Sequence, residues 1–316
     1  MDVFGGNSRN VRDRIARVLP QWPPDVPGQS ILLGMHAFGL EECGDYARAE
    51  DLARQAVERQ PLDCWAHHCL AHVMEMQGRT ADGIDWLVAN ESHWAGDDNF
   101  LAVYNWWHLA LFHLELGRID EALVLYDEPI RGARSTVAAD LIDASVLLWR
   151  LYLAGADVGE RWRELSEAWD VHADGRLFPF NDWHAVMAHL SAGRAGEVER
   201  IVSVIRSNPD DAEVVIWARE TGLPLIEGFA AFWHGDYRCA AERLYTARYI
   251  ANRFGGSHAQ RDIIDRTLTE AALRGGLVDL GEALAHERLA LKPHSPANRA
   301  FLSRARAART PNGLAA

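Results

Sequence analysis

Residues 29–61 read QSILLGMHAFGLEECGDYARAEDLARQAVERQP, and residues 63–95 read DCWAHHCLAHVMEMQGRTADGIDWLVANESHWA. Laid over each other with a shift of 34 residues, the two segments place Ala37 on Ala71, Gly44 on Gly78, Ala49 on Gly83 and Ala53 on Leu87. Apolar positions recur every three to four residues on either side of each turn glycine, which is the signature of helices rather than strands. Small residues at fixed columns let two antiparallel helices touch, and Pro61 ends the first unit.

These columns are those of the tetratricopeptide repeat. Working outward, Gly117-Arg118, Gly193-Arg194 and Gly235-Asp236 mark the turns of later units. A degenerate unit over 138–169 turns at Gly155 and is followed by a loop over 171–179, and a last pair spans Ser257 to Leu291 before Pro293. The predicted fold is all-α, a tetratricopeptide-like right-handed superhelix of six to seven helix pairs. Three regions are expected: a short basic helix and Pro-rich connector over 1–28, the repeat domain over 29–292, and a capping helix with a frayed tail over 293–316.

The chain has 316 residues and a net charge of −13, with Lys292 its one lysine. That balance argues against nucleic acid, whose affinity comes from phosphate neutralisation. No run of 18 apolar residues occurs, and no basic segment precedes an apolar core near residue 1, so a membrane span and secretion are not expected. Cys43, Cys64, Cys69 and Cys239 lack framework spacing, which points to reduced thiols in the cytoplasm.

Nine of fourteen histidines fall on predicted first helices: His36, His67, His68, His72, His108, His113, His184, His189 and His258. Those helices line the concave side of such an array, and His68, His72, Glu75 and Trp107 occupy columns that face it. Four readings compete. His68 and His72, at i and i+4, could share a metal ion with His36 or His108. Glu75 lies about 10.5 Å along the axis from His68, too far for the same coordination sphere. A histidine poised by Glu75, Asp143 or Asp262 could do metal-free acid–base chemistry. Cys64 or Cys69 could act as a nucleophile, although nothing singles either out. The groove could instead hold a peptide or a protein tail. The bland account of each histidine is a hydrogen-bonded packing residue.

The preferred reading is a His/Trp/Glu-lined pocket that binds a small molecule for hydrolytic or lyase-type acid–base chemistry; it assigns no metal ligand and leaves the cofactor open. The catalytic candidates are His72, Glu75, His108 and His258. The ligand-contacting candidates are His36, His68, Trp107, Asp143, Arg150, His184, Arg261 and Asp262. Ser257 and Gln260 form a capping-box pattern ahead of a helix, which puts His258 in its first turn. The expected partner is a small-molecule ligand or substrate, with a protein or peptide partner in the groove as the alternative.

The segments Ala37 to Glu42, Trp65 to Arg79, Asn105 to Leu111, Leu125 to Asp127, Asp143 to Leu151 and Gly256 to Asp262 resemble the tetratricopeptide repeat protein 38 family. The likeness extends from about Arg9 to Pro293. It implies a soluble, intracellular helical-repeat protein without a settled activity. It also implies that His72, Glu75, His108, Asp143, Arg150 and His258 belong together. Members of that family are typically longer, with further helical sequence upstream.

Overall fold

A computed structural model describes residues 2–309 apart from 4 and 97. The frayed tail expected beyond the last helix falls mostly at 310–316, outside the described residues. Among the described residues there is no strand, and no helix is long and apolar enough to cross a membrane. The chain divides into two compact units: residues 1–134 with 255–259, and the remainder.

In the first unit α1 (Ser8–Val18) precedes three antiparallel pairs. These are α2 (Gln29–Glu41) with α3 (Tyr46–Arg59), α4 (Cys64–Gln77) with α5 (Thr80–Ala89), and α7 (Ala102–Glu115) with α8 (Ile119–Leu125), a single turn α6 (Glu91–Trp94) standing before α7. The pairs turn at Gly44, Gly78 and Gly117, whose φ values of 81°, 69° and 74° are left-handed. That conformation is open to glycine without a Cβ penalty and ends a helix cleanly. At the other end of α4, the Asp63 side chain accepts the Ala66 N–H at 3.1 Å and so satisfies one of the helix's orphan donors.

Each first helix packs on its own partner and on the next first helix, α2 on α4 and α4 on α7. Ala37, Ala49, Ala53, Ala56, Ala66 and Ala71 are fully buried at these crossings. At Gly83 on α5 the approach is closer still. A Cβ there would stand 2.4 Å from Cε2 and Cζ of Phe112, itself buried on α7. Gly83→Ala is therefore expected to cost about 1–3 kcal/mol in urea unfolding, because overpacking outweighs the ~1 kcal/mol of helix propensity gained.

The second unit pairs α9 (Ala138–Leu153) with α10 (Arg161–Ala168), α11 (Pro179–Ser191) with α12 (Ala195–Ser207), and α14 (Leu223–Trp233) with α15 (Tyr237–Ala247). A short α13 (Glu213–Trp217) leads into α14. Then come α16 (His258–Arg274), which begins in the first unit, α17 (Val278–Leu291), and α18 (Pro296–Arg309), which packs on α17. Tryptophans are largely core here. Trp149 is fully buried, its ring 5.0 Å from that of Phe229, and its Nε1–H donates to Thr267 Oγ1 at 3.1 Å.

First helices are buried on nearly every side: all residues from Ala66 to Glu75 of α4 are interior. The columns expected to face an open groove are inside the unit instead. His68 is 1% exposed, and His72 and Trp107 are 0% exposed.

Candidate functional site

Three imidazoles meet inside the first unit. His68 and His72 stand one turn apart on α4, and His108 comes from α7, its neighbour. Their ring centroids are 4.6 Å (His68–His72), 4.5 Å (His72–His108) and 5.4 Å (His68–His108) apart. One ring nitrogen from each falls within 4.8 Å of the others. Asn105, fully buried one turn before His108, accepts at Oδ1 from His68 Nδ1 at 3.1 Å. That bond fixes the tautomer of His68 and leaves its Nε2 with the lone pair.

Two carboxylates adjoin the imidazoles. Glu41 and Glu42, at the C-terminal end of α2, are 0% and 4% exposed, and their oxygens lie within 4.8 Å of each other and of a His72 nitrogen. Glu41 Oε2 lies 3.5 Å from His72 Nδ1. Neither nitrogen of His72 makes a hydrogen bond. Burial pushes His72 down to about 4, against the opposing pull of Glu42 and Glu75, so its ring is neutral at neutral pH. Burial, with a smaller push from His72, holds His68 well below its ordinary value too.

Aromatic rings and one returning segment enclose the group. Phe38 meets His72 edge-on at 5.3 Å, and Tyr104 stacks on His108 at 5.2 Å and 13°. Tyr104 Oη and Ser257 Oγ are 2.6 Å apart. The His258 backbone N–H donates to Glu42 Oε1 at 3.1 Å, and His258 Nε2 lies 3.9 Å from Glu42 Oε2. Residues 255–259 thus cover the centre, entering through Gly255 and Gly256 at φ values of 99° and 80°.

No protein-family model matches the chain. Among solved structures it is similar to a chain of the "Crystal structure of APC/C hetero-tetramer Cut9-Hcn1", with a TM-score of 0.44 and 14% identity. The match covers 94% of this chain and 52% of that one, so this chain spans about half its length. The tetratricopeptide-like architecture rests on the chain's own stacked helix pairs and left-handed glycine turns.

Of the remaining candidates, Glu75 and Trp107 adjoin the centre and the others lie outside it. Glu75 is buried one turn beyond His72, and Trp107 stacks edge-on to its neighbour His108 at 5.0 Å. His36 is buried near Arg12 of α1 and is outside the three-histidine group. Asp143, Arg150, Asp262 and His184 belong to the second unit. Asp143 accepts from Gln260 Nε2 at 3.0 Å, and burial holds its carboxyl well above the usual range. Asp262 accepts from Arg150 Nη1 at 3.0 Å and from Arg288 Nη1 at 2.9 Å. His184 Nδ1 donates to the Phe180 carbonyl at 2.7 Å, its ring packed between Phe180 and Trp183. Arg261 is half-buried on α16.

Sequence reasoning passed over Glu41, Glu42, Tyr104 and Asn105 as site residues. A signal existed for the two glutamates, since adjacent carboxylates at a helix C-terminus oppose the macrodipole and call for a compensating partner. Burial raises the thiols of Cys64 and, much further, Cys69, which gives no support to a nucleophilic thiolate.

Proposed function

We propose that this helical-repeat protein binds a small molecule at the His68–His72–His108 centre and acts on it by acid–base chemistry. The observation that carries the reading is the enclosure itself. Three imidazoles and two carboxylates share a sealed interior where a peptide-holding array would present an open trough. Neutral His72 accepts a proton at Nε2, and Glu41, 3.5 Å from Nδ1, stabilises the imidazolium that forms. Access requires the covering segment to lift, breaking the Tyr104–Ser257 bond and the Glu42 bond to the His258 backbone.

Membership of the tetratricopeptide repeat protein 38 family is part of the proposal. Its support is that the segments Trp65 to Arg79 and Asn105 to Leu111 build the centre and Gly256 to Ala259 cover it. Four free thiols fit a reducing compartment, so we place the protein in the cytoplasm.

The test is turnover or thermal stabilisation across a panel of esters, amides and hydroxy acids at neutral pH. At least one compound is expected to respond with wild-type protein and not with His72→Gln of unchanged helix content. An inert wild type, or an unaffected His72→Gln, sinks the assignment.

A second reading is a non-catalytic protein-interaction scaffold. Its support is the repeat architecture together with Leu62 and Phe100 of the first unit, 64% and 67% exposed, the latter edge-on to Trp65 at 5.7 Å. Such exposed apolar side chains suit a partner's surface.

A further inference from the structure

We infer that His68, His72 and His108 bind one divalent transition-metal ion, zinc by donor set, with Asn105 and Glu41 orienting the rings and a fourth position left for water or substrate. The inference rests on the same enclosed centre as the reading above; with His72 Nε2 on the ion, the base becomes the water at the fourth position, and binding itself does not require turnover.

Geometry is the first argument. Three imidazoles on a tetrahedral ion at metal–nitrogen distances of about 2.0–2.1 Å hold their ring centroids roughly 5 Å apart. The observed 4.6, 4.5 and 5.4 Å bracket that value. Histidines that merely fill a core have no reason to gather three deep with their nitrogens inside a 4.8 Å span. Spacing on the chain agrees, because i and i+4 on one helix put two rings on one side and a neighbouring helix supplies the third.

The surroundings are the second argument. His72 is fully buried and neither of its nitrogens is hydrogen-bonded. Buried polar atoms almost always find a partner, and a lone pair without one points to a ligand. Metal-bound histidines characteristically donate their other N–H to a carbonyl or carboxylate, which sets the tautomer. Asn105 Oδ1 does this for His68 Nδ1, and Glu41 Oε2 faces Nδ1 of His72, leaving Nε2 of each ring for the ion. Three imidazoles with no thiolate favour zinc over the harder magnesium and calcium, which seek oxygen.

The experiment uses full-length protein without an affinity tag, stripped with a chelator and titrated with zinc or cobalt(II) alone. One equivalent is expected, with the visible absorption of tetrahedral cobalt. His72→Gln and His108→Gln should lose it, and Asn105→Ala should weaken binding by about 10–100-fold. His36→Gln and His184→Gln should keep the full equivalent. Absence of a stoichiometric ion in wild-type protein, or its retention in His72→Gln, overturns the proposal. Should His108→Gln fail to fold, the cobalt spectrum of the wild type and the Asn105→Ala affinity decide. A bound ion with an inert compound panel retains the metal and removes the chemistry, whereas no stoichiometric ion together with turnover by the stripped protein removes the metal and retains the chemistry.

Discussion

Replacing Asp262 by alanine is expected to destabilise the second unit by about 3–5 kcal/mol, because it removes the carboxylate that two buried guanidiniums share. Arg150 and Arg288 are 4% and 8% exposed, and both donate to the Asp262 carboxylate. Burial by itself would raise that carboxyl. The guanidinium of Arg288, then that of Arg150, more than offsets this and holds it well below the usual range. A depressed carboxyl contributes stability that is present above its unfolded value near 3.8 and lost as pH falls towards the folded one. The cost of Asp262→Ala, read from urea unfolding, should thus be fully developed at pH 7. Asp262→Asn, which keeps acceptor geometry without the charge, should lie between alanine and wild type. A loss under about 1 kcal/mol would mean the two arginines find other partners.

Two residues apart on α11, Asp182 and His184 are expected to give opposite pH slopes. Burial pushes the Asp182 carboxyl up to about 7, while the Gly175 N–H donating at 2.9 Å works against that. Folded protein therefore keeps Asp182 protonated where unfolded chain has ionised it. Its contribution is present below pH 3.8 and is lost as pH rises through 7. Asp182→Asn should leave the protein more stable than wild type at pH 8, by about 2–4 kcal/mol once the helix N-terminus is allowed its usual preference for carboxylate. His184 is the reverse: burial pushes it down to about 3. Its contribution is full above pH 6.5 and falls with acid as the unfolded chain takes up a proton. Relative to His184→Gln, wild type should lose about 2 kcal/mol between pH 6.5 and 5. Urea midpoints of both variants over pH 5–8 check this, and parallel slopes would contradict it.

The array was legible because its information is local. Ala37, Ala71, Gly44 and Gly78 repeat at one spacing, and each small residue or turn glycine has a nearby steric reason. Helix α13 and the widened turns over 126–130 and 218–222 were not foreseen; in the first, Pro129 lacks the N–H an ordinary turn would use. At the centre, periodicity put His68, His72 and His108 on inner helices but could not separate them from His36 and His184, which share the pattern and meet other neighbours. In sequence, Glu41 and Glu42 are two charged residues, a type that is usually exposed. What buries them includes Ser257 and His258, more than 200 residues away in the chain, and no local window contains that fact.

That distance has a consequence for how the protein is made. Some 120 residues separate Arg134 from Gly255. At about 5–20 residues per second on the ribosome, the closing piece emerges roughly 6–24 s after the body it must seal. For that interval Tyr104 and Glu42 lack their bonds to Ser257 and His258. Whatever the finished interior contains is most easily admitted then, before Tyr104 meets Ser257. Loading during synthesis, rather than exchange afterwards, is the order of events this late closure favours.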